Sequence, residues 1–188
     1  MKRLFHILML PLVSVLTLAL LPSCHSSKKS KGDYYQSQID QIGNVSIKDS
    51  DSKNKPEKNS RKRKKIVEEA YTWLGTPYAY AHAEKGKATD CSGMVQIVYE
   101  KVTGIKLPRN SAKQAEYCKK IKRKNLKIGD LVFFATGKNS DKISHVGIMV
   151  DDSSFIHASA SKGVVVSNLS QPYYVRTLRA FGRVSDDF

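Results

Sequence analysis

Two periods divide the chain. Between residues 61 and 118 apolar side chains recur at helical spacing, and from residue 131 onward they alternate as in strands. Ile66, Val67, Ala70, Trp73 and Leu74 form one helical stripe, which Gly75 and Pro77 bring to a stop. A polar loop, 76–89, then leads to Thr89 or Asp90, either of which suits a helix N-cap. Met94, Val95, Val98 and Val102 make the inward face of the helix that follows, and Gly104 ends it. A connector through Leu107-Pro108-Arg109 reaches a shorter helix capped by Asn110 or Ser111 and running to Cys118. The strands expected after it are 131–135, introduced by a Gly129-Asp130 turn, then 145–150, 155–159, 164–167 and 180–184. Helices first and strands with short links afterwards predict an α+β fold with an antiparallel sheet. Neither an internal repeat nor a Gly-rich phosphate loop is visible.

The first sixty residues follow neither period. Lys2 and Arg3 precede a mostly apolar run from Leu4 to Leu21, broken by Pro11, which reads as a secretory signal over residues 1–23, with an uncleaved membrane anchor as the alternative. Leu21-Pro22-Ser23-Cys24 resembles a bacterial lipobox, which assigns Cys24 to lipidation and the protein to a membrane through its N-terminus. Residues 24–60 are rich in Ser, Lys, Asp and Asn and poor in large apolar side chains, so they are expected to be a flexible tether. The folded domain is expected over 61–188.

Charge narrows the partners. The 188-residue chain carries a net charge of +15, with blocks at Arg61–Lys65 and Lys119–Lys127. Such a surface fits an anionic partner. The first block reads as a solvated helix start or a contact with anionic headgroups. An export signal and the lack of interleaved aromatic and basic residues exclude nucleic acid as the partner. Three cysteines, Cys24, Cys91 and Cys118, do not make a disulfide framework. Cys118 reads as a buried structural thiol.

Cys91 falls in the first turn of the second helix, where unpaired N–H groups and the helix dipole favour an anion. A depressed thiol pKa and a nucleophilic role are therefore expected there. Two histidines lie in neighbouring strands, His145 and His157. The types and order suit a nucleophile, a general base and a third polar group that orients the base. The backbone N–H of Cys91 is placed to help hold an oxyanion. This arrangement has a geometric condition: the two imidazoles share a sheet face only if the loop joining their strands is odd, such as 151–153, or a bulge intervenes. Zinc ligation would use the same residue types, but no close pair such as CxxC or HExxH is present. No metal and no cofactor are expected. His82 precedes Cys91 and is expected at the rim of the cleft.

Asp90-Cys91-Ser92-Gly93-Met94-Val95-Gln96 resembles the DCSGxVQ signature of the NlpC-type cell-wall peptidases, which are papain-like cysteine peptidases. Gly75-Thr76-Pro77-Tyr78, Leu107-Pro108-Arg109, Gly129-Asp130-Leu131-Val132-Phe133-Phe134, His145-Val146-Gly147-Ile148 and Phe155-Ile156-His157-Ala158-Ser159 resemble further motifs of that family, in the same order. The layout is similar to lipoprotein murein endopeptidases of the Spr type. The resemblance implies a papain-like domain with N-terminal helices packed on a five- to six-stranded antiparallel sheet. It implies catalysis by Cys91, His145 and His157, and substrate contacts from Tyr78, Asp90 and Ser92. It implies hydrolysis of peptidoglycan stem peptides; a monomer is expected, and the lysine-rich stretch after Cys24, which lacks an acidic surface-export signal, points to the periplasmic side of the envelope. The D-Ala–diaminopimelate crosslink and the γ-D-Glu–diaminopimelate bond both fit. A catalytically silent wall-binding module, or an amidase or acyltransferase on another substrate, are the alternative readings. One position departs from the family: Ala81-His82 stands where a Gly-Gly pair is common.

Overall fold

The computed structural model describes residues 55–137 and 141–185. The signal segment, Cys24 and the tether up to residue 54 lie outside the described residues. Helix α1 (Lys55–Tyr71) opens ahead of Arg61. Strands β1 (Ala83–Glu84) and β2 (Ala88–Thr89) form a small hairpin inside the stretch expected to be loop. Helix α2 (Cys91–Thr103) ends on Gly104, whose φ of 79° supplies the left-handed cap. Helix α3 (Ser111–Tyr117) starts from Asn110, whose side chain accepts from the N–H of Lys113. The remaining elements are β3 (Lys119–Ile121), a single 3-10 turn (Arg123–Asn125), β4 (Leu131–Phe134), β5 (His145–Met149), β6 (Ser154–Ser159), β7 (Gly163–Asn168), helix α4 (Pro172–Thr177) and β8 (Leu178–Arg183).

Strands β3 to β8 make one antiparallel sheet of six, in the order β3-β8-β4-β5-β6-β7. Its two faces are both covered. Leu131, Phe133, Val146, Ile148 and Ile156 point to the helices and join Ile66, Val67 and Ala70 of α1 and Met94, Val95 and Val98 of α2. Val132, Phe134, Met149 and Phe155 point the other way, into a smaller core closed by Leu169, Phe181 and Tyr174. That double burial is why β4 reads as an unbroken apolar run. At one edge, β3 exposes Lys119 and Lys120. Lysines there discourage pairing with another chain, so part of the second basic block is edge protection.

The first basic block also has an inward member. Arg63 is 7% exposed and donates to Asp130 Oδ1 at 2.8 Å. Arg183 approaches the same carboxylate at 2.8 Å and 2.7 Å, and the N–H of Lys127 donates to it at 2.7 Å. Asp130 is wholly buried, so these partners replace its water. The result ties α1, the turn before β4 and β8 together. The expectation of a fully solvated block fails at Arg63 because a buried carboxylate needs a cation more than the surface does.

Candidate active site

Asp90 is the N-cap of α2, with extended backbone (φ −98°, ψ 174°). Its Oδ1 accepts from the N–H of Gly93 at 2.7 Å and from the Ser92 hydroxyl at 3.1 Å. Arg109 grips both carboxylate oxygens, Nη1 to Oδ1 at 2.8 Å and Nη2 to Oδ2 at 2.7 Å, and Nη1 also donates to Ser92 Oγ at 3.1 Å. The N–H of Ala81 donates to Oδ2 at 2.8 Å. Gly93 permits this convergence, because a Cβ there would sit 2.7 Å from the His82 carbonyl oxygen. Ala81 makes its turn at a φ of 62°, in the left-handed region. The turn thus forms without the glycine pair, at a backbone cost that an Ala side chain brings. Gln114 of α3 donates to the carbonyls of Ser92 (3.0 Å) and Pro108 (2.8 Å), pinning the start of α2 from the other side.

The histidines arrive from the sheet. Val150 and Ser154 close the β5–β6 hairpin with a 2.9 Å hydrogen bond, leaving 151–153 as the loop, and Ile148 pairs with Ile156. The loop is odd, as the geometric condition requires. His145 and His157 therefore share a face, and His145 Nε2 lies 2.8 Å from His157 Nδ1. Gly147, opposite His157 in this register, has no room for a Cβ, which would meet the Phe155 ring at 2.6 Å. The β5–β6 pairing stops at Ile148–Ile156. In antiparallel register the next inward N–H belongs to Val146, and the N–H of Val146 is hydrogen-bonded to the Cys91 thiol. The sulfur thus occupies the place where the ladder opens, beside the residue that follows His145.

The electrostatics reverse one expectation. Burial pushes the Cys91 thiol up to about 11, and the nearby Asp90 carboxylate adds to the rise; the N–H groups of Val146, Ser92 and Cys91 itself pull the other way but do not prevail. The helix start was expected to depress this pKa. It does not, because Cys91 is buried, only 7% exposed, and the N-cap itself is an anion. Burial likewise pushes His145 down to about 4, and burial with the neighbouring His145 pushes His157 down to about 3. Phe134 (6.0 Å from His145), Phe155 (4.9 Å from His157) and Tyr174 (5.5 Å from His157) wall the two rings in. Burial thus favours the uncharged form of all three groups.

Among the expected site residues, His145 and His157 touch, and Cys91 lies against the backbone of Val146, the residue that follows His145. Tyr78 bridges to Thr89, and burial, with Cys91 and Asp90 close by, holds its hydroxyl above the usual tyrosine range. Asp90 and Ser92 are adjacent to Cys91 but are buried and bonded to one another and to Arg109. His82 is exposed, with Nδ1 2.9 Å from the Tyr80 carbonyl oxygen. Cys118 is a free, buried thiol pushed up to about 12 by burial, and Cys91 is also unpaired. Three contributors escaped the sequence reading. Arg109 stood in a motif read only as a connector. Ser167 and Tyr174 both approach His157 Nε2, at 2.9 Å and 3.1 Å. Only strand parity hints at Ser167, which lies two residues from Val165, the partner of His157.

A sheet that carries a pair of imidazoles at the end where a helix opens on a cysteine is the architecture of a papain-like α+β peptidase. The chain belongs to the NlpC/P60 family, whose pattern it matches over residues 75–183. A probable endopeptidase of Haemophilus influenzae is 36% identical over 119 residues, 63% of this chain and 73% of that protein. The murein DD-endopeptidase MepS/murein LD-carboxypeptidase of Escherichia coli is 36% identical over 122 residues, 65% of this chain and 63% of that enzyme. Among solved structures, an NLP/P60 family protein of Staphylococcus aureus described as similar to lipoprotein superposes with a TM-score of 0.60 at 29% identity, covering 74% of this chain and 45% of that one.

Proposed function

We propose that this protein is a cysteine endopeptidase that hydrolyses peptide bonds in peptidoglycan stem peptides. The observation that carries the chemistry is the 2.8 Å contact between His145 Nε2 and His157 Nδ1 beside a thiol seated at the opening of the same strand pair. With Nε2 engaged, Nδ1 of His145 is the nitrogen left to take the thiol proton. As that proton leaves, Cys91 Sγ bonds to the substrate carbonyl carbon and the carbonyl oxygen takes the negative charge. The Cys91 N–H and the Tyr78 hydroxyl, which stays protonated, stabilise that oxygen. His145 then gives its proton to the leaving amine as the C–N bond breaks. Water, deprotonated by His145, cleaves the thioester and restores the thiol. Burial disfavours charge on both partners, so the ion pair is expected to form as the substrate takes up charge.

The substrate class rests on relatives. Besides the murein enzymes, the gamma-DL-glutamyl hydrolase of Bacillus subtilis is 38% identical over 109 residues. Together they favour peptides of mixed chirality. Tyr78 is positioned to touch substrate, and Asp90 and Ser92 shape the wall beside it. The lipobox-like segment at Cys24 supports an anchored protein in the cell envelope facing the periplasm. Lys119, Lys120, Lys122, Lys124 and Lys127 line an open cavity of about 1230 Å³ that suits the anionic wall or headgroups around it.

Purified sacculi and a defined crosslinked muropeptide test the reading. Release of fragments, with products identified by mass spectrometry, is expected from the wild type and should fall by about 10³-fold or more in Cys91→Ala. Undiminished release by that variant would reject the mechanism. Binding to sacculi without release by either protein would favour the silent wall-binding reading.

A further inference from the structure

His157 has a second nitrogen, and its surroundings are as ordered as those of the first. Nε2 faces two hydroxyls, Ser167 Oγ at 2.9 Å and Tyr174 Oη at 3.1 Å, which lie 3.4 Å from each other. Ser167 comes from β7 on the face His157 uses, since His157 pairs with Val165 and side chains two apart share a face. Tyr174 comes from α4, whose first residue is Pro172. Its ring stands edge-on to both His157 and Phe155, which fixes where the hydroxyl points.

The number of protons in this row is limited. Each neutral imidazole carries one N–H. For His145 to present a bare Nδ1 to the thiol, its proton must be on Nε2. His157 Nδ1 must then accept, so the proton of His157 must be on Nε2. In the reversed row every proton moves to the other nitrogen, and His145 meets the thiol with an N–H that cannot take a proton. An imidazole nitrogen has one in-plane lone pair and can accept one hydroxyl well. An N–H can be shared between two oxygens. Two oxygens at nearly equal distance around Nε2 therefore suit a donor there. A cavity of about 470 Å³ opens beside Ser167, Gln171 and Tyr174, so the tyrosine can direct its own proton outward.

We propose that Ser167 and Tyr174 are positioning residues: as acceptors for His157 Nε2–H they hold the histidine pair in the one tautomer row in which His145 can act as a base. This rests on the reading of Cys91 and His145 as the reacting pair. It adds that the row has four members beyond the thiol rather than two, and that its direction is set from the outer end.

The test is long-range ¹H–¹⁵N spectroscopy of histidine-labelled full-length protein, with kinetics on a soluble muropeptide. The wild type is expected to show the Nε2–H tautomer for both His145 and His157. Ser167→Ala/Tyr174→Phe should shift His157 toward Nδ1–H, with His145 following. It should lower kcat by about 10- to 100-fold while KM changes little. Ser167→Thr keeps a hydroxyl and should retain both the wild-type spectrum and the wild-type rate. The single variants Ser167→Ala and Tyr174→Phe carry the same test, with smaller shifts, if the double variant does not fold. A wild-type His157 with its proton on Nδ1, or variants that keep both spectrum and kcat, would overturn the proposal. Activity remaining in Cys91→Ala would instead count against the reacting pair, whatever the tautomers show.

Discussion

Among the described residues two buried aspartates are held by arginine, and they are held differently. Asp130 has no exposed surface and meets two guanidinium groups from opposite ends of the chain, Arg63 and Arg183. Asp90 is met by one, Arg109, whose side chain is 41% exposed. Asp130 joins a helix, a turn and a strand far from any reacting group. Asp90 caps the helix that starts with Cys91, holds the turn at Ala81 and bonds the hydroxyl of Ser92. The same pair of functional groups thus serves cohesion in one place and alignment in the other. The fully enclosed version is where cohesion is needed, and the half-open version sits beside Cys91.

The largest effect should come from the enclosed knot. Asp130→Ala leaves two guanidinium groups without their carboxylate and should cost about 3–5 kcal/mol in urea unfolding. A loss under about 1 kcal/mol would show that the knot does not hold α1 to the sheet. Acid should strike the other region. His145 and His157 are depressed to about 4 and about 3, below the unfolded value near 6.5. The stability this reflects is complete above pH 6.5 and is lost as pH falls through the folded values, because the unfolded chain gains protons first. For His145 alone that is on the order of 2–3 kcal/mol between pH 6.5 and 4. His145→Gln should flatten that part of the pH–stability curve. In the same range the acid limb of kcat/KM should lie near pH 4 rather than 6.5.

Smaller changes sharpen the contrast. Arg109→Lys removes the fork that grips both oxygens of Asp90 and should cost about 1 kcal/mol. It should also lower kcat, because the cap aligns Cys91, whereas Arg183→Lys should lower stability and leave kcat alone. Equal kinetic effects from the two would erase the distinction drawn between the knots. Ala81→Gly relieves the left-handed strain and should add about 0.5–1 kcal/mol, read as a rise in Tm. A drop in Tm would mean that the alanine methyl contributes contacts worth more than the strain.

What was legible in the sequence followed from periodicity and local chemistry. The stripe Met94, Val95, Val98 placed α2, and Asp90 is the kind of residue that caps a helix. Alternation and short links placed β4 to β7, and parity tied the two histidines to a three-residue loop. Segments whose structure depends on distant partners were not legible. β3 is Lys119-Lys120-Ile121, a polar stretch that becomes a strand only because β8 lies beside it. Arg63 sits among four other basic residues and differs from them only in facing Asp130. Ser167 and Tyr174 carry no motif, and their contact with His157 exists only once β7 and α4 have folded over it. The pKa of Cys91 was misjudged for a related reason: a helix start predicts the local field, while burial is set by the whole domain.

The enclosure of Cys91 has a consequence in redox terms. Peroxide attacks a thiolate that it can reach, and burial works against both conditions here, since Cys91 is 7% exposed and its thiol is pushed up to about 11. Cys118, buried and raised to about 12, is shielded in the same way. The two thiols of the described residues are therefore expected to form sulfenic acid slowly in an oxidising medium, so that a reactive thiol in the resting enzyme would have to be exposed by movement of the residues around Cys91.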